Sequence, residues 1–138
     1  MNKKLFIDAD IILDVLAKRD MFYDPAAELF DLGYAKSLKL YTSALVLANV
    51  FYVLRKKYGI EKSKEQLKKL RLVMNVLPIN EKIVDNVLNS NFGDFEDGLQ
   101  YFTARENEIP VLITRNTKHY KEKGLLVQTA DEYIKGGE

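Results

Sequence analysis

The sequence predicts an α/β fold with a mostly parallel sheet covered on both faces by helices. Short apolar runs alternate with longer amphipathic segments along the whole chain. Residues suited to helix caps stand at most of the junctions. No internal repeat, low-complexity tract or long linker breaks the alternation, so residues 1–138 are expected to form a single domain.

Residues 3–7 are a short apolar run and are expected as a buried, central strand. Residues 11–18 follow as a helix, for which Asp10 suits the N-cap. Asp24-Pro25 predicts the next helix start, with Asp24 as N-cap and Pro25 at the first helical position. Ala27, Leu29, Phe30 and Leu32 carry that helix toward and beyond Gly33. Residues 38–42 form the second strand. Thr42 or Ser43 then caps an apolar helix over 44–57, ended by Gly59. Ser63 with Gln66 reads as a capping box for a helix to about Met74. Residues 76–79 are the third strand, and Pro78 places it at an edge. Asn80 caps a helix to about Leu88. Asn89-Ser90-Asn91 and Gly93 form a loop, and Asp94 opens a helix to about Asn107. Residues 111–114 and 125–128 are the fourth and fifth strands. Thr129 with Glu132 is a capping box for a short last helix.

A hydrophobic fraction of 47% over 138 residues supports a real core. No apolar run reaches the roughly 18–20 residues of a membrane span. The start resembles a signal peptide, but Asp8 stops its apolar stretch, so a cytoplasmic protein without membrane association is expected. The absence of cysteine excludes disulfides, thiolate metal sites and a cysteine nucleophile. The single histidine, His119, excludes a histidine-rich metal site. The net charge of +1 gives no global basic field. Between Arg55 and Arg71, however, eight basic residues face only Glu61 and Glu65. That stretch is either a solvated helix pair or a surface for phosphate backbones.

In open parallel sheets, ligands bind outside the carboxyl ends of the strands. The first strand ends in Asp8-Ala9-Asp10 and the fourth in Arg115-Asn116. Asp94 and Asp97 are three residues apart, so they share a helical face. Asn49 stands within the apolar run 44–54. Several of these suit bland roles: Asp10 and Asp94 as N-caps, Asp97 as a first-turn acid, Asn49 as a buried amide, Asp14 as a surface or capping residue. Asp8 resists such a role, because a carboxylate at the end of a central strand is costly unless paired or bound to a cation. Converging carboxylates without histidine or cysteine suit Mg²⁺ or Mn²⁺, which activate water and stabilise charge on phosphoryl oxygens.

The run from Phe6 to Asp14 resembles the opening of PIN-domain ribonucleases, including the VapC toxins of toxin–antitoxin pairs. Ser43-Ala44-Leu45 with the run from Asn49 to Leu54 is similar to their second motif. Asp94-Phe95-Glu96-Asp97-Gly98-Leu99-Gln100 with Ala104 resembles the third, and the run from Ile113 to Tyr120 the fourth. The resemblance implies a three-layer α/β/α domain with a central five-stranded parallel sheet, a Mg²⁺ or Mn²⁺ pocket and RNA hydrolysis. It also implies a homodimer and a small antitoxin partner. Asp8 and Asp97 match the core acids, and Asp94 a frequent additional one. The expected catalytic set is Asp8, Asp94, Asp97 and Asn116. The expected metal set is Asp8, Asp10, Asn49, Asp94 and Asp97. Arg55, Lys56, Lys57, Arg115 and Lys118 are the expected RNA contacts.

The sequence departs from the family pattern. Asn49 stands where Glu is usual, Asn116 where many members have Asp, and His119 where an acid is frequent. Asp10 replaces a usual Asn. An amide oxygen can ligate a cation but cannot act as a base. A catalytically impaired RNA-binding or protein-interaction module is therefore the alternative. A haloacid-dehalogenase-type phosphatase, which also opens with strand-Asp-x-Asp, is more remote, because Asp94 follows a loop rather than a strand. A receiver domain lacks its acceptor Asp after the third strand.

Overall fold

The computed structural model describes residues 3–122 and 124–136. Five parallel strands, β1 (Lys4–Ile7), β2 (Lys39–Ser43), β3 (Met74–Leu77), β4 (Val111–Ile113) and β5 (Leu126–Gln128), form one sheet in the order β3-β2-β1-β4-β5. Phe6 pairs with Tyr41 on one side and Leu112 on the other. Successive strand residues point to opposite faces. Leu5, Phe6 and Ile7, and likewise Val111, Leu112 and Ile113, are all 0% exposed, so helices cover both faces. The strand order reverses between β1 and β4, the switch point where a ligand crevice opens.

The helices are α1 (Ala9–Leu16), α2 (Tyr23–Tyr34), α3 (Ala44–Tyr58), α4 (Ile60–Leu70), α5 (Glu81–Leu88), α6 (Phe95–Glu106) and α7 (Ala130–Gly136). No helix among the described residues is long and apolar enough to cross a membrane. Ser43 caps α3 by accepting from Val46 N at 3.2 Å, and Asn80 caps α5 by accepting from Ile83 N at 3.0 Å. Thr129 and Glu132 form the reciprocal box, with bonds of 3.0 and 2.9 Å. β3 is an edge strand that ends before Pro78. Gly98 lets α6 pack on α5, since a Cβ there would meet Val87 Cγ1 at 2.6 Å.

Three expected caps are corrected. Asp8, not Asp10, is the N-cap of α1. α2 begins at Tyr23 without a side-chain cap, so Asp24 and Pro25 lie inside its first turn. Proline is tolerated there because the first N–H groups of a helix have no helical acceptor. α4 begins at Ile60, directly after Gly59 at φ 85°. That left-handed conformation turns the chain in a single residue. Ser63 then lies within α4, and its hydroxyl donates to Gly59 O at 2.7 Å instead of capping.

Candidate active site

Because β1 lies beside β4, Asp8 emerges next to Thr114. Asp8 N donates to Ile113 O at 3.0 Å, which ties the two strand ends together. Asp8 Oδ1 accepts from Ala9 N at 2.8 Å. Its Oδ2 faces two hydroxyls, Thr114 Oγ1 at 3.0 Å and Tyr120 Oη at 3.1 Å. Burial, then the charge of Asp10, pushes the Asp8 carboxyl up to about 6 against the pull of these donors.

Asp10 lies in the first turn of α1 and reaches the β4 loop. Its Oδ2 accepts from Arg115 N at 3.0 Å and lies 3.5 Å from Asn116 Nδ2. Its Oδ1 is buried without a hydrogen-bond partner. Burial raises this carboxyl as well.

α6 brings the second acid pair. Asp94 caps the helix, its Oδ1 accepting from Asp97 N at 2.9 Å. Asp97 Oδ1 lies 3.3 Å from Tyr120 Oη, and its Oδ2 lies 3.2 Å from His119 Nδ1. Burial and then the charge of Asp94 raise the Asp97 carboxyl. The Tyr120 hydroxyl thus stands between Asp8 and Asp97. Burial and the two carboxylates raise its phenol, so it remains a donor. Its single proton serves one acid at a time.

One cavity of about 360 Å³ is lined by Asp8, Asp10, Asn49, Asp94, Asp97 and Asn116, with Glu96 and His119 beside them. All the expected catalytic and metal positions therefore meet. Thr114, Tyr120 and Glu96 were not among them. Thr114 carries the signal that marked Asp8, a polar residue after an apolar strand. Glu96 and Tyr120 stand in the third and fourth motif runs, but nothing in their spacing marks them as site residues; tertiary folding brings them in.

Two residues differ from expectation. Asp14 is 1% exposed rather than on the surface. Arg115, expected to contact RNA, turns its guanidinium away from the cavity. Its Nε lies 3.4 Å from Asp14 Oδ2, and the group stacks 4.1 Å over Phe22. The reason is that a buried carboxylate needs a counter-charge. Arg55 and Lys56 are exposed, both over the Tyr52 ring, at 5.1 and 4.4 Å. Lys57 Nζ donates to Ala17 O at 3.3 Å. Lys118 is exposed and lines a groove that shares Asp94, Asp97 and His119 with the acid cavity.

Among the described residues, no three His, Asp or Glu side chains are drawn close enough to hold an ion as they stand. The chemistry of the donor set nevertheless fits a hard divalent cation. Carboxylate and amide oxygens predominate, Asp10 Oδ1 has no other partner, and a cation would offset the burial, and then the neighbouring charge, that raise Asp8 and Asp97.

A model of the PIN domain matches residues 4–118. The chain belongs to the PIN-domain family. It is 25% identical to Ribonuclease VapC1 of Aquifex aeolicus (strain VF5) over 139 residues, covering 96% of this chain and 94% of the relative. Among solved structures, VapBC2 from Rickettsia felis, bound to a DNA fragment from its promoter, superposes with a TM-score of 0.70 at 16% identity. That match covers 91% of this chain and 98% of the other. Mycobacterium tuberculosis VapC20, described as a sarcin-ricin loop cleaving toxin, gives 0.62 at 16% identity over 78% and 86%. The PIN fold replaces the phosphatase and receiver readings of the strand-Asp-x-Asp opening.

Proposed function

We propose that this chain is a Mg²⁺- or Mn²⁺-dependent ribonuclease that hydrolyses RNA phosphodiester bonds, the toxin of a VapBC-type pair. The observation that carries this reading is the shared cavity of Asp8, Asp10, Asp94 and Asp97 at the switch point of a PIN fold. A small antitoxin as partner is supported by the toxin–antitoxin complexes among the structural neighbours. A homodimer follows from the family resemblance alone.

Asp8, Asp10, Asp94 and Asp97 would hold the cation, with the amide oxygens of Asn49 and Asn116 as neutral donors. When bound, it would polarise a phosphoryl oxygen and lower the pKa of attacking water. The protein's own groups do the rest. Thr114 and Tyr120 fix the rotamer of Asp8, and the Arg115 amide fixes Asp10. Hydrolysis forms a bond from water oxygen to phosphorus and breaks one ester P–O bond. One water proton goes to a carboxylate of the cavity, and the leaving oxygen takes up another. Arg55, Lys56 and Lys118 would contact the phosphate backbone, with the exposed Tyr52 ring available for stacking.

The second reading, an RNA-binding module without catalysis, is favoured by Asn49 and Asn116, which bring no charge. One assay separates the two: mixed RNAs incubated with Mg²⁺ or Mn²⁺, beside Asp8→Asn and Asp97→Asn. Cleavage by the wild type that both variants lose supports the nuclease. Binding without cleavage under either metal supports the module.

A further inference from the structure

Glu96 is the second residue of α6, at a helix N-terminus where most exposed glutamates extend into solvent. Here its side chain turns across the cavity to α3, where Oε1 accepts from Asn49 Nδ2 at 3.2 Å. It lines the same cavity as Asp8, Asp10 and Asp97. Asn49 cannot ionise, and an N–H of its amide orients a neighbouring carboxylate. A bond from a neutral donor leaves the charge of that carboxylate uncompensated. Arg19, the cation that also lines this cavity, faces Asp14 at 3.8 Å instead. The Tyr120 hydroxyl joins Asp8 and Asp97, two acids of the cavity, and the Asn49–Glu96 bond joins two more of its lining residues.

We propose that Glu96 is a carboxylate of the cation site, with Asn49 as its positioning residue, so that α6 supplies the charge α3 lacks. This rests on the reading of the cavity as a divalent-cation site. A merely structural Asn49–Glu96 pair would lie between two helices and leave ion binding unchanged. The carboxylate can also be moved by substitution. In Asn49→Glu/Glu96→Gln, the acid sits on α3 and the neutral amide on α6, with the pair's hydrogen bond available in reverse.

The test is calorimetric titration of the full chain with Mn²⁺, with a melting curve and an RNA cleavage assay for each variant. Glu96→Gln is expected to melt like the wild type and to bind Mn²⁺ about tenfold more weakly, with cleavage falling in parallel. Asn49→Glu/Glu96→Gln is expected to recover most of the affinity. Glu96→Gln binding within about threefold of the wild type overturns the assignment. So does a folded double variant that gains nothing over Glu96→Gln. Asp8→Asn keeps the two levels apart. If it loses Mn²⁺ binding while Glu96→Gln does not, this inference alone fails. If the wild type itself binds no Mn²⁺ and cuts no RNA, the reading of the cavity fails and takes the inference with it.

Discussion

The two walls of the acid cavity are built differently. On the sheet side, Asp8 and Asp10 are held by backbone amides and by the hydroxyls of Thr114 and Tyr120, and three acceptor oxygens have at least one donor within 3.3 Å. On the helical side, Asn49, Asp94 and Glu96 are half-buried or exposed; Asn49 donates to Glu96 at 3.2 Å, and Asp94 accepts from Asp97 N at 2.9 Å. The first wall fixes geometry at the cost of burying charge. The second brings charge that stays hydrated and can adjust. In the proposed cation site, this division would give precision from the strands and adaptability from the helix ends.

The sharpest way to break this contrast is at Asp8. Asp8→Asn should lower metal-dependent RNA cleavage by about a hundredfold or more, whereas the same change at the exposed Asp94 should cost less. Initial rates on one RNA, in Mn²⁺, measure both. Equal losses would mean that the walls do not differ. Next in size is the hydroxyl of Tyr120. Tyr120→Phe keeps the ring against Phe92, at a centroid distance of 6.2 Å, and removes the one donor that Asp8 and Asp97 share. Urea unfolding without metal should show a loss of about 1–3 kcal/mol at pH 8.

The pH dependence follows from the sign of the shift. The Asp8 carboxyl is raised from 3.8 to about 6, so its folded form prefers the proton. Its stabilising contribution is full below pH 3.8 and is lost as pH rises through 6. The metal-free melting temperature should therefore carry a component that declines from about pH 4 to pH 6, and added Mn²⁺ should offset it increasingly over the same window. Asp14 is raised by burial to about 6 as well, against the pull of Arg115, so Asp8→Asn should remove only part of that decline.

The smallest effect belongs to the basic surface. Lys56→Ala should weaken RNA binding at every sequence alike and lower the salt-dependence slope by about 0.7, with Mn²⁺ affinity unchanged. Binding isotherms at several salt concentrations check this, and an altered Mn²⁺ affinity would join the surface to the cavity.

Much of the site was legible in the sequence, for local reasons. Leu5-Phe6-Ile7 marked a buried strand, so Asp8 stood out as a carboxylate at its end. Asp94 and Asp97 showed themselves by cap chemistry and spacing. The pairing of Arg115 with the buried Asp14 was not legible, because the two lie about a hundred residues apart in sequence and no periodicity links them. Ser63 was misread because its capping pattern is genuine but outweighed by the turn at Gly59. Glu96 reaches the cavity from a helix start, and Tyr120 reaches Asp8 and Asp97 behind it from a loop, contacts that spacing rules do not reach.

The most direct measurement is calorimetric titration of the wild-type chain with Mn²⁺ at pH 8 and pH 5, beside Asp8→Asn. Saturable binding at pH 8, weaker at pH 5 and lost in the variant, is the expected result. Binding that is indifferent to both pH and Asp8, or absent throughout, would contradict a cation site at the end of β1.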